Sequence, residues 1–191
     1  MKTQLKNISA IHMGHAFRNR LEPEAAGNVA VIQMKDIDAH NRLAIGSLVY
    51  VNLPDIKPVH RVARGDVIFR SRGRVNTATL VETALDNAIV AAPLLRIRVD
   101  TKQILPEYLV WYINHASTQA CINRQASGTI SRMINKKTIA EMTVDVPPLD
   151  CQQRIAAIAA LAGREQELLR QLTEKRKALV DGILMKKALN T

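Results

Sequence analysis

Aromatic side chains are scarce in this sequence: one Trp, three Tyr and two Phe make up 3% of its 191 residues. A chain so poor in rings offers no broad platform on which successive bases could stack. Cysteine is nearly missing too. Cys121 and Cys151 are too few for a disulfide framework and lack the spacing of a zinc site, so each reads as a small packed side chain. The longest apolar run, Ala88 to Leu95, is far short of the ~20 residues that span a bilayer. The N-terminal residues are basic, but no continuous apolar stretch precedes His12, His15 and Arg18, which argues against a signal peptide. These absences predict a soluble, cytoplasmic chain in a reducing compartment, with no membrane partner.

The signatures of catalysis are also missing. There is no GxxxxGK[ST] or GxGxxG phosphate loop, no HExxH and no GxSxG elbow. His12 and His15 are three residues apart but have no third ligand nearby, and they read as polar surface residues rather than metal ligands. Pro54-Asp55-Ile56-Lys57 resembles a fragment of a nuclease carboxylate–lysine cluster. A metal-dependent nuclease needs several converging acids, however, and Pro54 to Pro58 reads as a turn. No catalytic residue, metal or cofactor is expected in this chain.

What is present is positive charge. Lys and Arg number 27 against 17 Asp and Glu, a net charge of +10, which points towards a polyanionic partner. The excess is densest from Lys57 to Arg74, where Lys57, Arg61, Arg64, Arg70, Arg72 and Arg74 accompany one acid, Asp66. Arginine's planar fork suits guanine edges and phosphate alike. Arg70, Arg72 and Arg74 alternate, so an extended segment would project them from one face, with Ser71 and Asn76 as polar neighbours. Gly73 would allow a bend there. The plainer alternative is a sheet edge blunted by charge. A second cluster, Arg124, Arg132, Lys136 and Lys137, surrounds Ser127-Gly128-Thr129, whose hydroxyls and amides could meet phosphates.

The pattern divides the chain near Pro147-Pro148, into residues 1–149 and 150–191. In the first part, Val29–Met34, Ser47–Leu53 and Asp66–Arg70 read as strands. Leu95, Ile97 and Val99 alternate with Arg96 and Arg98 as in a half-buried strand. A helix is expected from Pro106, with Leu109, Tyr112, Ile113, Ala116 and Ala120 on one face, broken at Ser127-Gly128-Thr129. A shorter helix should follow Asn135 as N-cap, and Met142–Val146 should extend again. The class is α+β, a sheet-rich body followed by one long C-terminal helix.

That helix is the clearest local signal. Asp150 reads as its N-cap, with Gln153 three residues on as in a capping box. Ile155, Ile158, Ala162, Glu165, Leu169, Leu172, Arg176, Leu179 and Ile183 then follow the 4–3 spacing of a coiled-coil seam with two polar interruptions. Gly163 and Gly182 weaken it by about 1 kcal/mol each relative to Ala.

In this order the segments become recognisable. Arg64-Gly65-Asp66-Val67-Ile68-Phe69-Arg70-Ser71-Arg72-Gly73 is followed by Ala91-Ala92-Pro93-Leu94-Leu95-Arg96-Ile97 and then Leu105-Pro106-Glu107-Tyr108-Leu109-Val110-Trp111-Tyr112-Ile113. Ser127-Gly128-Thr129, Ile139 to Val146, and Pro147-Pro148-Leu149 with Gln152-Gln153-Arg154-Ile155 complete the series. The chain resembles the specificity subunit of type I restriction-modification systems over nearly its whole length: one target-recognition domain and the helix that follows it. Family members carry two such units in tandem, so the chain looks like a half-subunit. Cys151 stands where the family usually places an acid.

The resemblance implies a non-catalytic reader of double-stranded DNA. Methyltransferase subunits would bring S-adenosylmethionine and methylate adenine, and a restriction subunit would be a further partner. Two copies would pair through Ile155, Ile158, Leu169, Leu172, Leu179 and Ile183 as a homodimer on a bipartite palindrome. The family's base-reading residues vary with target, so Arg70, Ser71, Arg72, Arg74, Asn76, Arg132, Lys136 and Lys137 are candidates from charge and spacing alone. The alternative is a non-specific scaffold, or an inhibitor that docks on a methyltransferase through the helix.

Overall fold

The computed structural model describes residues 1–73, 75–125 and 132–189, with the backbone alone at Gln125 and Arg132. In chain order its strands are β1 (Lys2–Gln4), β2 (Ser9–Met13), β3 (Val29–Ile32), β4 (Val49–Val51), β5 (Val67–Arg70), β6 (Arg72–Gly73), β7 (Ala78–Leu80), β8 (Ala88–Val90), β9 (Leu94–Val99), β10 (Arg132–Met133) and β11 (Thr143–Asp145). The helices are α1 (Pro106–Asn114), α2 (Ala116–Gln125), α3 (Lys136–Glu141) and α4 (Leu149–Leu189). The expected α+β class, with its long C-terminal helix, is the one observed. Contacts divide the chain into one unit over Met1–Gln152 and another over Gln153–Thr191.

Two sheets make the body of the first unit. One is antiparallel in the order β2-β9-β5-β7, and the other has the order β4-β3-β8 with β3 and β8 parallel. Val29 to Ile32 are apolar at every position because β3 is covered on both faces. Ala30 and Ile32 pack with Ile68, Val90 and Leu94 in one cluster, while Val29 and Val31 pack with Val49, Val51 and Ile89 in another. Phe17 and Leu53 close that second cluster from outside.

The N-terminal segment has little strand propensity of its own. Yet β2 pairs with β9 over five residues, and β1 pairs with β11, setting Lys2 opposite Asp145. Long-range pairing makes these strands, and local sequence does not announce them.

The expected helix from Pro106 is two helices. His115 is extended (φ −65°, ψ 141°) and separates α1 from α2. The reason is tertiary: the Asn114 side chain donates to the Ala78 carbonyl and accepts from the Ala78 amide, both at 2.8 Å, which fixes the end of α1 against β7. Ser127-Gly128-Thr129, the expected break, lies outside the described residues. Asn135 caps α3 as expected, accepting from the Thr138 amide at 2.8 Å.

α4 starts two residues earlier than its sequence suggests. The Pro148 carbonyl accepts from the Cys151 and Gln152 amides at 3.0 Å, so Asp150 lies in the first turn rather than at the cap. Its charge is still favourable near the helix N-terminus. Gln152 is fully buried and ties three segments together. It accepts from the Leu105 amide at 2.8 Å and donates to the Gln103 and Pro147 carbonyls at 3.0 and 2.8 Å. The Pro-Pro-Leu…Gln junction is thus a clasp that fastens the base of α4 to the strand–helix connection before α1.

Candidate nucleic-acid interface

The two basic segments are some sixty residues apart in sequence, and the ladder between β6 and β10 joins them. Arg72 pairs with Met133 and Gly73 with Arg132. Gly73 has φ +135°, a conformation that L side chains rarely adopt, which accounts for glycine between two arginines. Arg72 is exposed and donates weakly to the Met133 sulfur at 3.9 Å. Beyond β10, Lys136 and Lys137 occupy the exposed first turn of α3. The ladder therefore sets the exposed Arg72 opposite Met133, shortly before the exposed Lys136 and Lys137 of α3. Arg74 lies outside the described residues.

The alternation of arginines does not produce a row on one face. Arg70 closes β5 and turns inward, where its Nη2 donates to the Ile37 carbonyl and, at 3.1 Å, to the Asp38 carbonyl. Burial lowers its pKa from the ordinary value, with Asp38 acting the other way. Ser71 and Asn76 are fully buried. The Ser71 hydroxyl donates to the Pro93 carbonyl, and Asn76 Nδ2 donates to the Arg70 carbonyl at 3.0 Å. Arg70, Ser71 and Asn76, expected at the DNA, instead hold the turn that presents Arg72. The break at Ser71 between β5 and β6 is what defeats strict alternation.

Just before β5 lies a charge cluster that sequence reasoning missed. Asp66, 1% exposed, accepts from Arg98 Nε and Nη2 at 2.7 Å each and from the Ala63 amide at 2.8 Å. Arg96, read as an outward side chain, is only 4% exposed and stands 3.6 Å from the same carboxylate. Its Nη2 is 3.3 Å from His12 Nδ1. Gly65, with φ +88°, makes the turn that leads into Asp66. The Gly-Asp pair in the basic segment was the available signal: an acid alone among arginines is a candidate buried counter-ion.

Histidines cover the cluster. The His15 and His60 rings lie 5.5 Å apart edge to face, and His12 sits beside Arg96 within reach of the Lys136 charge. Burial lowers the His12 pKa, and the charges of Arg96 and Lys136 add to it; burial, then His15, lowers that of His60. The neutral rings thus favour the folded state, while the unfolded chain takes up protons below about pH 6.5. Stability carried by this pair is present above that pH and is lost on acidification. We expect the thermal midpoint of the first unit to fall from pH 8 to pH 5.5, and a His12→Gln/His60→Gln variant to fall less. Identical slopes would refute the assignment.

Among the described residues no group of three or more His, Cys, Asp or Glu is placed to hold a metal ion, and no helix is long and apolar enough to cross a membrane. A cleft of about 340 Å³ opens between α2 and α3, lined by Tyr112, Cys121, Ile122, Ile139 and Glu141 among others. Among the described residues no Lys or Arg lines it.

The family described as the type I restriction modification DNA specificity domain matches residues 1–175. Three solved structures share the fold. The HsdS subunit from Thermoanaerobacter tengcongensis has a TM-score of 0.67 at 16% identity, over 90% of this chain and 39% of its own. A chain from a study of complex assembly and conformational transition of the type I R-M system has a TM-score of 0.69 at 17% identity, over 93% and 42%. The type I restriction-modification S subunit from M. genitalium has a TM-score of 0.58 at 14% identity, over 91% and 41%. The present chain thus spans about two fifths of each. No curated protein sequence matches it.

Proposed function

Because the chain belongs to the type I restriction-modification DNA specificity family, we propose that it is the DNA-reading, non-catalytic half-subunit of an adenine methyltransferase complex. The observation that carries this reading is the β6–β10 ladder, which pairs strands from two separate basic segments within that fold. Arg72, exposed on β6, is the candidate for a base edge, and Lys136 and Lys137 for phosphates. α4 would join two copies, so that each reads one half of a bipartite palindrome and helix length sets the unread spacer. Methyltransferase subunits would supply S-adenosylmethionine, and a restriction subunit would join the same assembly.

Competition between target and random duplex, followed as a function of salt, tests the division of labour. Arg72→Ala should cost roughly 1–3 kcal/mol on the target and relax one position of the site. Lys136→Ala/Lys137→Ala should weaken all duplexes alike and flatten the salt slope by about two. Unchanged affinity and preference in Arg72→Ala would remove that residue from the interface. The exposed apolar face of α4 also suits a scaffold or inhibitor that docks on a methyltransferase. That reading predicts either salt-sensitive binding without preference or no DNA binding at all.

A further inference from the structure

Some charges of α4 pair along the helix itself. Arg170 is held by Glu167 at 2.8 Å and by Glu174 at 2.6 Å, one turn to either side. Glu165 and Arg176 are set apart by their position. Both fall on the 4–3 line between Ile158 and Ile183, and neither has an ion-pair or hydrogen-bond partner among the described residues. Only side chains three or four residues away can reach them along a helix. For Glu165 these are Leu161, Ala162, Leu168 and Leu169; for Arg176 they are Leu172, Thr173, Leu179 and Val180. None carries charge. The two ions therefore stand on an apolar stripe whose Ile158, Leu169, Leu172 and Leu179 are all more than half exposed in the single chain.

We propose that α4 pairs with α4 of a second copy in one antiparallel register, fixed by Glu165 of each chain meeting the partner's Arg176. The proposal rests on the reading of α4 as a pairing helix and specifies its alignment. With Leu169 opposite the partner's Leu172, Ala162 meets the partner's Leu179 and Ile158 meets the partner's Ile183. The two-fold axis repeats every layer. In these layers apolar side chains oppose apolar ones, and both ions are paired. A slip of one heptad sets Glu165 against Leu169 or Ile183, and Arg176 against Ile158 or Leu172. A parallel, in-register pair stacks Glu on Glu and Arg on Arg. Each alternative strands charges in an apolar seam, so the ion pair selects register more than it adds strength.

Sedimentation equilibrium of the full chain and its variants tests this, with circular dichroism to verify that α4 stays helical. The wild type should be a dimer. Glu165→Arg and Arg176→Glu each set like charges together at both crossings and should raise Kd on the order of 100-fold. The double variant Glu165→Arg/Arg176→Glu should return to the wild-type value, and the two single variants mixed should pair with each other. Single variants that dimerise as tightly as wild type overturn the register while leaving the pairing intact. A monomeric wild type overturns both.

Discussion

Asp66→Asn is expected to destabilise the first unit by about 3–5 kcal/mol, the usual cost of leaving a buried charge without its partner. Asp66 faces Arg96, 4% exposed, and Arg98, and it also holds the Ala63 amide. Asparagine keeps the volume and one acceptor but removes the charge that compensates Arg96. Arg96 has few other options: its Nε and Nη1 are buried with no other hydrogen-bond partner, and its remaining contact is His12. For a unit of this size the loss corresponds to a fall in Tm of roughly 10 °C. Trp111, the single tryptophan, lies in α1 and reports the transition by fluorescence. Arg98→Met should cost less, because Arg98 is half exposed and solvent screens its charge. A Tm unchanged in Asp66→Asn would show that the cluster is incidental to stability.

Leu169→Glu/Leu172→Glu should abolish pairing. In the proposed register these residues meet across the two-fold axis, so four buried leucines are lost per dimer. At about 1.5–3 kcal/mol for each buried side chain, Kd should rise by at least ~10⁴-fold. Helicity should persist, since Leu and Glu have similar helix propensity. The sedimenting mass should therefore halve at micromolar concentration with an unchanged helical spectrum, and methylation at a two-part target should disappear. A variant that remains dimeric would place the interface elsewhere on the chain.

The parts of the molecule legible in the sequence are those whose cause is local. Val29–Ile32, Val67–Arg70 and Leu94–Val99 announce themselves by apolar runs or alternation, α3 by its Asn135 cap, and α4 by heptad spacing, interrupted twice by charge, after two prolines. What stayed hidden has non-local causes. β1 and β2 exist because β11 and β9 pair with them, and α1 ends at Asn114 because that side chain is drawn onto β7. The same distinction governs the candidate site. Net charge and clustering pointed to Arg72, Lys136 and Lys137, all of which are exposed. Spacing alone could not reveal that Arg70, Ser71 and Asn76 are used up inside the turn, or that Arg96 faces a buried carboxylate. Charge density marks a region; burial decides which of its members remain free to meet a ligand.

Genome-wide adenine methylation tests the central claim most directly. It should be mapped in cells that express this chain with its partner methyltransferase and in cells that lack only this chain. The account predicts a bipartite palindromic motif, modified only when the chain is present. Methylation that does not depend on the chain, with the partner demonstrably active, would contradict it.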